Sequence, residues 1–112
     1  MSKQIKITYM DKTYTLEFSK GSVRRMEQAG FDRTELAAKT MTMLPQLFAG
    51  AFIKNHALID KKIPEKIYDL LPNKLDMLDK LTEMFEEPYN AMLEDPDPQE
   101  VEAKNVSWTA SW

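Results

Sequence analysis

The stretch that decides the fold lies near the start of the chain and reads Lys3-Gln-Ile-Lys-Ile-Thr-Tyr-Met-Asp-Lys-Thr-Tyr-Thr-Leu-Glu-Phe18. Its apolar residues alternate with polar ones in two runs, Ile5, Ile7 and Tyr9, then Tyr14, Leu16 and Phe18. Because side chains alternate between the two faces of a strand, each run lies on one face. The pattern predicts a β-hairpin over residues 3–18 with a tight turn at Asp11-Lys12. A lone hairpin is marginally stable in water, so its apolar face should dock on helices.

The residues after the hairpin carry signals for helix starts and ends. Ser19 or Ser22 is a candidate cap for a first helix, and Gly30 is well placed to end it. Asp32 then starts a predicted short helix that runs through Lys39. The first third of the chain therefore predicts a hairpin followed by two helices.

A third predicted helix is the most apolar element and should be the most buried. Thr40 or Thr42 caps it, and Pro45 is tolerated in a first turn. Its apolar positions follow helical spacing, the last two more loosely: Leu44, Leu47, Phe48, Ala51, Phe52, Leu58 and Ile59.

Two further helices are predicted before residue 95. Pro64 opens a short helix through Leu71, and a long amphipathic helix then runs to about Glu94. Pro88 removes one backbone donor and should kink or split this helix near Met84. The fold class predicted is α+β, predominantly α, with an N-terminal β-hairpin followed by about five helices.

Residues 95–112 differ from the rest of the chain in composition. Residues 95–105 contain two prolines, several acidic residues and almost no apolar ones, which predicts a disordered, flexible tail. The tail ends in Val106-Ser-Trp-Thr-Ala-Ser-Trp112, which holds both tryptophans of the chain. The sequence thus predicts one globular domain over 1–94 and an acidic tail over 95–112 that ends in a docking segment.

Charge is unevenly distributed along the 112 residues, although the net charge is only −3. Residues 1–62 carry 11 Lys and Arg against 6 Asp and Glu, whereas residues 63–112 carry 4 against 12. Two interpretations remain open: head-to-tail association of basic and acidic halves, or an unevenly charged solvated surface. The chain has no Cys, no evident signal peptide and no transmembrane run, which fits a cytoplasmic protein that does not engage a membrane.

Few residues in the sequence could support catalysis, and we predict a protein that is not an enzyme. His56 is the sole histidine and has no second metal ligand at a suitable spacing. With three glycines, the chain has no phosphate-binding loop or dinucleotide fingerprint. We therefore expect no catalytic residue, no cofactor and no metal.

Basic residues around the first helix suggest one alternative function. They are Lys20, Arg24, Arg25 and Arg33, and such a patch can contact phosphates. The acidic second half should repel nucleic acid, so a small nucleic-acid-binding regulator is the less favoured hypothesis.

Five segments together resemble a known family. They are the hairpin pattern Ile-x-Ile-x-Tyr…Lys-x-Tyr-x-Leu-x-Phe, Val23-Arg-Arg-Met-Glu-Gln-Ala-Gly-Phe-Asp32, Met41-Thr-Met-Leu-Pro-Gln-Leu-Phe-Ala-Gly-Ala-Phe52, Met84-Phe-Glu-Glu-Pro-Tyr89, and Asn105-Val-Ser-Trp108 with Trp112. This arrangement resembles the tail assembly chaperones of Gram-positive siphophages and prophages over nearly the whole chain.

The resemblance implies a mostly helical protein needed to build a long non-contractile phage tail. Such a protein binds the tape measure protein and keeps its hydrophobic helices soluble until tail tube subunits polymerise around it. It acts in the cytoplasm of the host bacterium, is absent from the mature virion and in some cases self-associates, so a homo-oligomer is expected. Many members also have a frameshifted longer form that contacts the tail tube protein.

We predict that partners bind through seven residues: Phe48, Phe52, Leu78, Phe85, Val106, Trp108 and Trp112. The tail segment has a period of two and suits addition as a strand to another subunit's sheet edge. Folding of both tryptophans back onto their own domain is the equal alternative. A structural tail or head-completion protein of the virion is a third hypothesis for function.

Overall fold

The structure, a computed structural model, describes residues 3–91, 93 and 107–112. An antiparallel hairpin of β1 (Ile5–Tyr9) and β2 (Lys12–Leu16) precedes four helices, α1 (Lys20–Gln28), α2 (Thr40–Gly50), α3 (Lys62–Leu70) and α4 (Lys74–Ala91). A single 3-10 turn at Arg33–Glu35 lies between α1 and α2. The predicted α+β class, mainly helical with the hairpin first, is confirmed.

Only part of the predicted tail can be compared with the structure. Residues 95–106 and the predicted domain boundary at residue 94 lie outside the described residues. Residues 107–112 are described and form neither helix nor strand.

The hairpin turn lies one residue earlier than predicted. Tyr9 pairs with Lys12, so the two-residue loop is Met10-Asp11 rather than Asp11-Lys12. Both loop residues have positive φ, 51° and 62°. This is the geometry of a type I′ turn, which matches the right-handed twist of the strands. Without the Asn-Gly sequence that normally marks such a turn, the periodicity alone did not fix its position.

Helix α1 begins and ends where the sequence predicts. The hydroxyl of Ser19 accepts a hydrogen bond from the Ser22 amide, and the Ser22 hydroxyl accepts one from the Ser19 amide, which completes a capping box. Gly30 follows the helix with a φ of 104°, a conformation that L side chains rarely adopt. Beyond it, the short helix predicted over 32–39 is only one 3-10 turn followed by non-helical turns.

The central helix α2 is shorter than predicted and has no side-chain cap from Thr40 or Thr42. It begins at Thr40, after Lys39, and ends at Gly50. Pro45 therefore lies in the middle of the helix rather than in its first turn. Residues 51–55 continue as turns, which is why the looser apolar spacing of Leu58 and Ile59 marks a separate segment.

The core is built from aromatic and aliphatic side chains contributed by the hairpin and by all four helices. Phe85 of α4 makes edge-to-face contacts with Phe18 and Phe31, at ring centroid distances of 5.2 and 5.5 Å. Phe52 makes similar contacts with Tyr14 and Phe48, at 5.8 and 5.3 Å. These geometries are the favoured ones for aromatic pairs, so the hairpin is docked on the helices as predicted.

Helix α4 is continuous from Lys74 to Ala91, with Pro88 inside it. The predicted split at Pro88 does not occur. The buried face of the helix, with Leu81, Met84 and Phe85, packs on the core, and Tyr89 stacks on Phe85 at 5.7 Å. This packing offsets the hydrogen bond that the proline removes.

Candidate protein-binding surfaces

Four of the residues predicted to bind a partner belong to the body of the fold. Phe48, Phe52 and Phe85 are 0%, 1% and 2% exposed, so the prediction that they form a binding surface is corrected. Their helical spacing marks the stripe that packs into the core, and sequence periodicity cannot distinguish such a stripe from a docking face. Leu78 is half-buried against the same core.

The tail residues behave differently. Trp108 and Trp112 are 84% and 105% exposed, so neither is packed on the domain of its own chain in this structure. Val106 lies outside the described residues. Two fully accessible tryptophans are a large apolar surface for a partner, because Trp dominates the binding energy of many protein interfaces.

An open apolar groove is lined by residues of α1, α2 and the segment that follows α2. Its cavity volume is about 390 Å³. The apolar lining comes from α1 and its end, α2, the following segment and α3: Met26, Ala29, Phe31, Ala49, Phe52, Ile53, Ala57, Ile59 and Pro64. Arg25, Gln46, His56 and Lys61 supply the polar groups of the lining. A mainly apolar concave site with a few polar groups is the usual form of a binding site.

Sequence reasoning missed this groove. Its walls come from separate segments, and the residues that line it, such as Met26, Ile53 and Ile59, belong to no single periodic stripe. Phe52 is the predicted partner-binding residue that reaches it, as part of the floor.

The two edges of the hairpin are unequally covered. On the β2 edge, the Thr15 amide donates to His56 Nε2 at 3.0 Å, and the Glu17 amide donates to the Ala51 carbonyl at 2.9 Å. On the other edge, the strand register directs the backbone N–H and C=O groups of Lys6 and Thr8 away from β2. Among the described residues, none bonds to these outward N–H and C=O groups, so the β1 edge is open.

A buried carboxylate fastens the hairpin to the segment that follows α2. Glu17 is 3% exposed, and its side chain accepts hydrogen bonds from Lys54 Nζ at 2.5 Å and from Gln4 Nε2 at 2.9 Å. The hydrogen bond from Lys54 outweighs the cost of burial and lowers the pKa of Glu17 to about 2. Asn55 adds a further donor at 3.3 Å. The buried carboxylate is thus paired with a cation and hydrogen-bonded, so the cluster stabilises the contact between the hairpin and this segment.

The basic patch is partly neutralised within the chain. Arg33 forms an ion pair with Glu86 and lies over the Tyr89 ring at 4.9 Å. Lys20, Arg24 and Arg25 remain exposed on α1. A phosphate-binding surface would thus have three exposed cations here rather than four, which weakens the nucleic-acid hypothesis.

The part of the chain that the structure describes contains neither a cluster of metal-ligating side chains nor a membrane-spanning helix. Over residues 3–91, 93 and 107–112, no group of three or more His, Asp or Glu side chains is placed to hold a metal ion. No helix in that same part is long and apolar enough to cross a membrane. His56 serves as a hydrogen-bond acceptor for the β2 edge and packs against Tyr14 at 5.2 Å.

The fold and its surfaces define a small α+β domain that carries an apolar groove, an open sheet edge and two exposed tryptophans. A family model described as "Domain of unknown function (DUF5055)" matches residues 1–112, so the chain belongs to this family. No curated protein and no solved structure matches the chain.

Proposed function

We propose that the protein is a phage tail assembly chaperone, without enzymatic activity, that binds the tape measure protein. The observation that carries the proposal is the position of two of the segments that resemble tail assembly chaperones. Residues 23–32 contribute helix α1 and its end, residues 41–52 contribute most of α2, and both segments line the apolar groove. Two of the five segments that resemble the chaperones thus contribute residues to the candidate binding site.

The groove suits an amphipathic helix as its ligand. Apolar side chains on one face of such a helix would enter the groove, and acidic side chains at its margin would approach Arg25 and Lys61. Met26 is 4% exposed and contributes its thioether to the floor of the groove.

Co-expression with overlapping tape measure fragments tests the proposal. At least one fragment that precipitates alone should stay soluble and co-purify with the protein. Retention of none of the fragments would contradict the function proposed.

A double variant in the groove tests the site itself. Ala49 and Ala57 are exposed and line the groove, so Ala49→Glu with Ala57→Glu places bulk and charge there without disturbing the core. Binding should weaken about tenfold or more, because a charge must then be desolvated. Ala38→Glu, at an exposed position outside the groove lining, is the matched control and should bind normally. Equal binding by all three proteins would place the client elsewhere.

The virion itself provides a second test of function. A chaperone acts in the host cytoplasm and leaves before the particle is finished, so mass spectrometry of purified particles should not detect it. A stoichiometric amount in the particles would instead favour a structural tail or head-completion protein.

A further inference from the structure

We propose that the segment Val106–Trp112 of one copy adds as a strand to the open β1 edge of a second copy. This self-association is separate from client binding in the groove and does not depend on the function proposed above. Three features of the hairpin and the tail support it.

The first feature is the unpaired backbone of β1. The edge of β2 is occupied by His56, Asn55 and Ala51, which bond to the outward groups of Thr15 and Glu17. The outward groups of Lys6 and Thr8 have no such partners among the described residues. A strand edge of this kind is a ready template for an extended peptide, which gains main-chain hydrogen bonds.

The second feature is the incomplete burial of the apolar face at that edge. Tyr14 and Leu16 of β2 are 4% and 0% exposed. Their partners in β1, Ile7 and Ile5, and also Tyr9, are only half-buried. An added strand beside β1 would cover the flanks that these three side chains leave open.

The third feature is the pattern of the tail segment, which matches both faces of the edge. In an extended strand, Val106, Trp108, Ala110 and Trp112 share one face, and Ser107, Thr109 and Ser111 share the other. The apolar set would lie beside Ile5, Ile7 and Tyr9, and the small polar set beside Lys6 and Thr8. Trp side chains are long enough to contact diagonal neighbours as well as direct ones.

Charge and chain length favour the approach of the tail to another copy. The acidic stretch 94–102 precedes the segment, and Lys6 lies on β1. The residues that join Ala91 to Ser107 span at most about 55 Å when extended, enough to reach a neighbouring molecule. Trp108 and Trp112 are exposed in the single chain. Docking of the tail on a second copy would bury these tryptophans and would also pair the backbone of the β1 edge.

Tryptophan fluorescence measures this association directly. Trp108 and Trp112 are the two tryptophans of the chain, so the tryptophan emission of the full-length protein, excited selectively over tyrosine, reports on the tail segment alone. With rising protein concentration, the emission should shift to shorter wavelength while light scattering shows an increase in mass. The double variant Trp108→Ser with Trp112→Ser should stay monomeric by light scattering, and its exposed positions keep the domain folded.

A matched pair of edge variants locates the docking site. Thr8 and Thr13 face each other in the hairpin, and their amides point out of opposite edges. Thr8→Pro removes a donor from the β1 edge and should raise the dissociation constant about tenfold or more. Thr13→Pro loses the same Thr8–Thr13 hydroxyl contact but should associate normally. Circular dichroism verifies that both variants are folded.

Hydrogen exchange by NMR tests the edge without any substitution. At high protein concentration the Lys6 and Thr8 amides should exchange more slowly than in dilute solution, and the Thr13 amide should be unchanged. A spectrum shifted to shorter wavelength at every concentration, with monomeric mass, would mean docking within one chain and would overturn the proposal. The absence of a fluorescence shift at every concentration would overturn it as well. So would association that persists in a folded Thr8→Pro variant, if the Lys6 and Thr8 amides of the wild type also exchange no more slowly at high concentration. These experiments contain no tape measure protein, so their outcomes do not depend on whether the protein binds it.

Discussion

Glu17 is the residue whose substitution tests how the hairpin is held on the helices. Glu17→Gln keeps the shape of the side chain and removes its charge. In the native protein this carboxylate is 3% exposed and accepts hydrogen bonds from Lys54, Gln4 and Asn55. The variant should therefore be less stable at neutral pH, because Lys54 loses its anionic partner and the cluster loses its charge-assisted hydrogen bonds.

The size of the effect follows from the pKa of Glu17. Folding lowers this pKa from its ordinary value of 4.5 to about 2, chiefly through the Lys54 hydrogen bond. The corresponding contribution to the free energy of unfolding is at most about 3 kcal/mol. The side chain of Lys54 is 36% exposed, so solvent screening reduces the expected loss to about 1–2 kcal/mol.

The sign of the pH dependence is fixed by the direction of the pKa change. A carboxylate with a lowered folded-state pKa stabilises the protein fully above pH 4.5, and this contribution is lost as the pH falls toward about 2. Urea unfolding from pH 7 to pH 2 should therefore show a difference between the wild type and Glu17→Gln that is largest near neutrality and shrinks with acidification.

A second Glu–Lys pair provides the matched control for this experiment. Glu83 accepts a hydrogen bond from Lys3 at 2.8 Å, but the two side chains are 59% and 52% exposed. Glu83→Gln should therefore leave stability almost unchanged, since exposed ion pairs contribute little. The reasoning is refuted if Glu17→Gln and Glu83→Gln have the same effect, or if the Glu17→Gln difference persists undiminished at low pH.

Three further substitutions test local geometry by thermal unfolding. Replacing Met10-Asp11 with Asn-Gly should stabilise the protein by about 1 kcal/mol, because both positions have positive φ, and an unchanged melting temperature would argue against the turn assigned. Gly50→Ala should destabilise it by about 1 kcal/mol, since a Cβ there would clash with the Met26 side chain, and a gain in stability would show that the thioether moves aside freely. His56→Leu removes the acceptor for a β2 amide and should cost about 1–2 kcal/mol, whereas a neutral result would mean that water replaces the imidazole.

Strand alternation and helix capping are the features that the sequence predicts well. Ile5, Ile7, Tyr14 and Leu16 share the face that their period of two assigns to them, because a one-residue shift would expose the whole set. Ser19 begins α1 through a hydrogen bond that depends on residues three apart. Both features are local, so one segment contains all the information that determines them.

The exposure of candidate binding residues could be predicted only where it depends on local sequence. Two tryptophans close together after an acidic stretch single out the tail segment, and both are exposed. The groove could not be recognised, because Met26, Ile53 and Ile59 meet only after α1, α2 and the following segment have packed. The apolar stripe containing Phe48 was mistaken for a surface, since burial depends on which elements cover it.

Glu17 is a buried polar residue whose burial sequence patterns do not predict. Its place in the alternation assigns it to the polar face of the hairpin, yet it is buried. The burial depends on Lys54 and Asn55, which lie 37 and 38 residues further along the chain. A long-range contact of this kind has no periodic signal.

Ion pairs within the folded chain reduce the attraction that the uneven charge distribution could provide between molecules. Lys3 pairs with Glu83 and Arg33 with Glu86, so cations of the first half are neutralised by acidic residues of α4 in the same molecule. Association of whole basic and acidic halves therefore loses part of its electrostatic attraction. The acidic stretch 94–102 adds five carboxylates just before the tryptophans, where charge would guide the segment toward Lys6 on β1. Charge of this kind mainly raises the rate of encounter, whereas burial of Trp108 and Trp112 would determine how long the contact lasts.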